Sequence, residues 1–183
     1  EAGIDLDDEP AALFQLLVLT QLFSTRISAD IAVAAARELF EAGWRTPQKM
    51  LESTWQQRVD ALGRAGYRRY DFSTSTKLEE LSRKVMNEYG GDLRHLRPSG
   101  PDAAQELAKT IESFPRIGPT GARIFCREVQ DVWPEVRPYF DDRALKAARR
   151  LGLPTDPDRL ARLAPKGQVA VLASALVRAE RHH

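Results

Sequence analysis

Two stretches of the 183-residue chain place chemically useful groups at helix starts. The first is Leu107 to Ile124, LAKTIESFPRIGPTGARI. An amphipathic helix ends there at Phe114, a tight turn Pro115-Arg116-Ile117-Gly118-Pro119 follows, and a second helix starts near Thr120, carrying Ala122, Ile124, Phe125 and Val129. Such a turn exposes backbone N–H groups at a fresh helix N-terminus, where the partial positive charge favours an anion such as a DNA phosphate. Amide contacts hold a phosphate chain in register without reading its sequence. The same residues also describe a plain αα-turn stopped by glycine. The second stretch is FDDRALKAARRLGL, Phe140 to Leu153. Asp141 is a natural N-cap, Asp142 follows it, and Gly152 ends the helix. Capping and dipole compensation alone account for one acid in that place.

Other chemistry is narrowed by what is present. Cys126 is the one cysteine, so no internal disulfide and no multi-cysteine zinc or iron–sulfur site can form; inside the second hairpin helix it reads as a small buried apolar residue. His95 has no metal-ligand partners at useful spacing, and His182 and His183 read as an appended remnant. No glycine-rich loop ending in Lys-Ser/Thr follows a strand, which argues against a P-loop enzyme. Trp44, Trp55 and Trp133 read as core or rim residues, and Trp133, between the hairpin and Asp141, is the one also placed to line a pocket.

The elements that must position these groups are helical. Leu13, Phe14, Leu16, Leu17, Leu19 and Phe23 make a strongly buried helix after Pro10. An alanine-rich helix from Ile31 to Phe40 stops at Gly43. Thr46-Pro47 and Thr54 are helix starts, residues 73–89 form a helix ended by Gly90-Gly91, and Pro101-Asp102 opens the helix that enters the hairpin. No alternating strand pattern appears. The expected fold is all-α, with eight to ten short helices, in one domain covering 1–183. Its expected lobes are 11–100 and 101–183, the second holding the hairpin (107–125) and the Asp helix (141–151), after an acidic segment at 1–10. Hydrophobic residues at 43% and charged residues at 29% fit a soluble globular chain. No apolar run approaches the roughly 20 residues that span a bilayer, and EAGIDLDDEP lacks the features of a secretory signal, so a cytoplasmic protein with no membrane partner is expected. The net charge is +1, but the first ten residues hold five acids and no base, so the rest carries a modest basic surplus that permits a polyanionic partner.

The hairpin stretch resembles the helix-hairpin-helix element of the DNA glycosylase superfamily to which endonuclease III belongs. The family pattern is roughly leucine, proline, glycine, apolar, glycine, two variable positions, alanine. Phe114, Pro115, Ile117, Gly118 and Ala122 match it; Arg116 replaces the first glycine and Pro119 removes an amide donor. The family also carries an aspartate at a helix start some twenty residues on, followed by a pattern like arginine-leucine-glycine-leucine. Asp141 with Arg150-Leu151-Gly152-Leu153 falls at that spacing, and a register closer to the alkyladenine branch makes Asp142 the match instead. Asp141 is the favoured of the two.

The resemblance implies a two-lobed fold with a cleft, and excision of a damaged or mismatched base from double-stranded DNA by a monomer. Asp141 or Asp142 would be the catalytic carboxylate, stabilising positive charge on the deoxyribose as the N-glycosidic bond breaks. The base would be flipped into a pocket lined by Trp133 and Tyr67, unless Tyr67 simply packs under its loop. Arg116, Ile117, Gly118, Thr120, Gly121 and Arg123 would contact DNA at the hairpin. Arg26 would sit in the loop that fills the gap left by the flipped base, or be a plain surface arginine, and Arg68 and Arg69 would hold phosphates in another strand-contacting loop. Carbonyls at Ile117 and Gly118 would hold a monovalent cation. The lyase-competent branch has a lysine two residues after the hairpin's second glycine; here that residue is Thr120, and Lys109 and Lys146 do not match, so a monofunctional enzyme is implied. The family's iron–sulfur loop has no counterpart in a chain with one cysteine. The rival expectation is a non-catalytic DNA-binding or structure-sensing module on the same fold.

Overall fold

A computed structural model describes residues 1–181, and His182 and His183 lie outside the described residues. Ten α-helices form, with no strand among the described residues. They are α1 (Pro10–Leu22), α2 (Ala29–Glu41), α3 (Pro47–Glu52), α4 (Trp55–Arg64), α5 (Asp71–Tyr89), α6 (Ala103–Glu112), α7 (Pro119–Val129), α8 (Asp142–Arg150), α9 (Pro157–Ala161) and α10 (Val169–Arg181). Short 3-10 turns lie at Leu93–Leu96 and Pro134–Val136.

Local chemistry accounts for most of the boundaries. Ser28, Thr46, Thr54, Asp141 and Asp156 each accept a backbone N–H as N-caps, and Thr54 with Gln57 makes a reciprocal capping box. α5 ends on Gly90, whose φ of 60° is left-handed. The helix entering the hairpin stops at Glu112, two residues before Phe114, so Phe114 belongs to the turn and its side chain to the core.

α1 is buried nearly all round and forms the axis, touching α2, α5 and α7. Arg58, itself 1% exposed, ties α3, α4 and α5 together by donating to the Ser53 carbonyl (2.9 Å), the Ser75 carbonyl (3.2 Å) and Glu79 (3.2 Å). The acidic first segment is packed rather than loose: Ala2 is buried, and Ile4 and Leu6 lie against the core.

The apolar core divides in two, at a place other than the expected lobe boundary near 100. Leu107, Ile111, Phe114, Ile117, Ala122, Phe125, Val129, Trp133 and Val136 join the large cluster built on α1–α5. The second cluster begins at Phe140 and is made by α8, α9 and α10. α7 lays one face on α6 and another on α1, so the hairpin completes the first core, and it also meets α10 of the second. Among the described residues no helix is long and apolar enough to cross a membrane.

Candidate nucleic-acid interface and carboxylate

At the turn, Pro119 takes the first position of α7, where an N–H has no intrahelical partner in any case. The proline therefore removes a donor that the helix does not need, and the N-terminus of α7 carries no side-chain cap. Pro119 and Thr120 are exposed there, and Arg123 is exposed one turn further on. Gly121 has a different task from the expected DNA contact. It is buried against α1, and a Cβ added to it would lie 2.8 Å from Ser24 Oγ, 3.0 Å from Ile117 Cγ2 and 3.2 Å from Thr20 Cγ2. Ile117 is likewise a core side chain, 5% exposed, so only its backbone faces the turn's chemistry. Among the described residues its carbonyl accepts no hydrogen bond, whereas the Gly118 carbonyl already accepts from Ala122 N at 3.0 Å. Those two oxygens fit the donor type of a monovalent cation, with one lone pair of Gly118 committed.

Arg116 stands where the family pattern has glycine, and its φ is 58°, in the left-handed region that costs an ordinary residue about 1–2 kcal/mol. Its guanidinium turns inward and donates to Thr74 Oγ1 on α5 at 2.8 Å, which corrects the expectation of a free DNA contact. Gln21, fully buried in α1, clamps the same turn: its Nε2 donates to the Pro115 carbonyl (2.8 Å) and the Lys77 carbonyl (3.0 Å). Two carbonyl partners fix the amide's orientation and leave Gln21 Oε1 without a partner.

Tyr67 closes this polar knot. Its ring is fully buried, and its hydroxyl donates to the Leu22 carbonyl (2.9 Å) and meets Thr25 Oγ1. Burial raises its pKa, opposed by hydrogen bonds from Thr25 and Thr74 and by the nearby Arg116. Tyr67 thus packs under its loop as a structural post. The post joins the 23–28 loop to the 66–70 loop, and Arg26, Arg68 and Arg69 stand exposed on them. Arg69 lies over the Tyr70 ring at 5.4 Å, and Arg68 reaches the Gly63 carbonyl at 3.4 Å.

Trp133 is likewise a core residue. It is 0% exposed, packs on Phe125 with ring centroids 6.1 Å apart, and donates through Nε1 to Asp8 Oδ1 at 2.8 Å. Asp8 also pairs with Arg97 (3.1 Å), which pairs with Glu135 (2.9 Å). The indole therefore anchors the N-terminal segment and lines no open pocket.

Asp141 is half-buried at the N-cap of α8, and its Oδ1 accepts the Ala144 N–H at 2.9 Å; Oδ2 has no hydrogen-bond partner among the described residues. Asp142 is exposed in the first turn. The segment before them is fixed by Gln130, the C-cap of α7. Its Oε1 accepts Tyr139 N (2.8 Å) while its Nε2 donates to the Tyr139 carbonyl (3.0 Å) and the Arg127 carbonyl (2.9 Å). Tyr139 stands among Cys126, Asp141, Arg123 and Arg127, and burial drives its pKa upward. The Gln130 clasp thus ties the end of α7 to the segment that leads into Asp141. The next residue, Asp131, caps a distant helix: its two oxygens accept Val169 N (3.1 Å) and Ala170 N (2.8 Å) at the start of α10. Gln21, Gln130 and Asp131 escape a residue-by-residue reading. The signal for Gln21 was a polar side chain inside the apolar run LLVLTQLF.

Among solved structures, a non-covalent endonuclease III–DNA complex is similar to this chain with a TM-score of 0.55 at 18% identity, covering 97% of this chain and 76% of that one. A trapped endonuclease III–DNA covalent intermediate, the estranged-adenine complex, gives 0.54 at 18% identity with the same coverage. No protein-family model matches the chain, and no curated protein matches it. Across nearly its whole length, the chain shares the helical fold of endonuclease III.

Proposed function

We propose that the chain is a DNA glycosylase that hydrolyses the N-glycosidic bond of a flipped damaged or mismatched base, with Asp141 as its carboxylate and without lyase activity. The supporting observation is that one helix, α7, carries the exposed turn at its start and, through its C-cap Gln130, holds the Tyr139 backbone two residues before Asp141. DNA phosphates bind at Thr120 and Arg123, with Arg26, Arg68 and Arg69 on the adjoining loops. A monovalent cation at the Ile117 and Gly118 carbonyls would add positive charge towards a phosphate. Asp141 keeps one oxygen on the Ala144 amide, which fixes the carboxylate, and turns the other to the substrate. As the glycosidic bond lengthens, positive charge grows on the sugar; the carboxylate stabilises it and orients the attacking water. With threonine at position 120 no amine attacks the sugar, so the product is an intact abasic site.

The test is base release from a panel of damaged and mismatched duplexes. Asp141→Asn loses at least 100-fold in turnover, an effect typical of one electrostatic group, while DNA affinity is retained. Asp142→Asn stays close to the parent. Equal turnover in parent and Asp141→Asn would refute the assignment.

A second reading is a DNA-binding module without catalysis. It draws on the inward-turned Arg116 and on the closing of Trp133 and Tyr67 as pocket walls. Salt-sensitive DNA binding with no base release from any duplex would favour it.

A further inference from the structure

We infer that a basic hollow between the Asp141 connector and the α9–α10 loop binds a phosphate group. It is open, encloses about 400 Å³, and is lined by Arg137 and Pro138 on one side and by Asp158, Arg162, Lys166 and Gly167 on the other. Three cations face one acid. Arg162 and Lys166 make no ion pair among the described residues, and Arg137 is 3.9 Å from Asp131, too long for a strong bond. The N-terminal amides of α10 are already taken by Asp131, so the attraction comes from the side chains. Three like charges gathered round an open hollow repel one another, and a phosphate relieves that repulsion.

The position of the hollow gives it a role, on the reading that the chain binds DNA. Gln130 and Asp131 end α7, and the connector they hold carries Arg137 and Pro138 directly before Asp141. α7 spans about 16 Å between the turn and this end. At 3.4 Å per nucleotide along one strand, that span covers about five phosphates. The turn holds the strand at one end of α7 and the hollow holds it at the other, where the connector that lines the hollow leads into Asp141.

The experiment measures binding of a fluorescent duplex by anisotropy over a range of salt, and binding of inorganic pyrophosphate by calorimetry. The proteins are the parent, Arg162→Gln/Lys166→Gln, and a control that loses two charges elsewhere, Lys49→Gln/Arg83→Gln. All four positions are exposed, so the fold is kept. If DNA phosphate is the ligand, the hollow variant binds about tenfold or more weakly at low salt, its salt slope falls by about 2, and the control changes little. If a free phosphoanion is the ligand, the DNA slope stays and the pyrophosphate heat disappears in the hollow variant alone. A hollow variant that matches the control in both measurements overturns the inference while leaving DNA binding by the parent intact. A parent that binds no DNA at any salt removes the proposed function, and the pyrophosphate arm then decides the hollow by itself.

Discussion

The two ends of α7 are held in different ways. Its start is locked into the large core by long polar side chains: Gln21 on Pro115, Arg116 on Thr74, Tyr67 on Leu22 and Thr25. Its far end holds the small lobe by backbone clasps, with Gln130 gripping the Tyr139 peptide and Asp131 the first turn of α10. The small lobe's core relies on alanines: Ala144, Ala147, Ala148 and Ala173 let α8 and α10 approach closely but bury little apolar area each. Around it Leu151, Leu163 and Val171 are more than half exposed. A rigidly held turn is thus paired with a lighter lobe that carries Asp141. The lighter lobe meets the heavier one at the end of α7: Gln130 and Asp131 clasp it, Ser174 of α10 donates to Glu128 at 2.6 Å, and α10 packs on α7.

The strongest way to break that contrast is Trp133→Ala. The indole fills the large core and holds Asp8, so its loss costs about 3–5 kcal/mol and lowers the denaturation midpoint of the whole chain. A shift below 1 kcal/mol would mean that the large core is not the anchor. Gln130→Ala comes next. It leaves both polar groups of the Tyr139 peptide without their partner, at a cost of about 1–3 kcal/mol. Hydrogen exchange then quickens at 139–150, while amides 107–122 keep their protection. Equal quickening in both segments would show that the two ends are one unit.

Alkaline pH loads both ends together. Burial pushes the Cys126 thiol from 9.0 up to about 12, and also raises Tyr67 on the turn side and Tyr139 on the connector. Each group stays neutral in the folded chain, whereas the unfolded chain ionises. The thiol's contribution is therefore whole below pH 9 and is lost as pH rises from about 9 to 12, at about 1.4 kcal/mol per unit. Cys126→Ala flattens the alkaline fall of stability by one proton's share. An unchanged slope in urea titrations at pH 8 to 10 would contradict the burial of this thiol.

How much of this was legible in the sequence follows from the range of the forces involved. Caps act within four residues, so Thr46, Thr54, Asp141 and the glycine stops named the helices and the hairpin directly. The turn's match to a family pattern likewise used neighbouring residues. For Trp133 and Tyr67 the sequence leaves pocket wall and core post both open, because type and loop position do not reveal which way a ring points; Asp8, 125 residues from Trp133, decides that. Gln130 and Asp131 look like ordinary polar residues after a helix, and only the return of the chain at Tyr139 and Val169 gives them a role. The division of the core at Phe140 is out of the sequence's reach for the same reason, since the packing of α7 on α1 is a contact between distant segments.

The finest probe of the contrast is at Arg116, where two small effects oppose each other. The residue bears left-handed strain of about 1–2 kcal/mol and gains one partly buried hydrogen bond to Thr74, worth about 1 kcal/mol. Arg116→Ala loses the bond and keeps the strain. Arg116→Gly loses the bond and sheds the strain, offset in part by glycine's greater freedom in the unfolded chain. Glycine is therefore the more stable replacement by about 1 kcal/mol, the reverse of the order within a helix. Because the turn is held independently by Gln21, Arg116→Gly also leaves the affinity for duplex DNA within about twofold of the parent's, a small change beside the fall expected when a phosphate contact is removed. Alanine matching or exceeding glycine in chemical denaturation would show that the strain is relieved elsewhere. A large loss of DNA affinity in Arg116→Gly would show that the guanidinium leaves Thr74 to reach the backbone of the DNA.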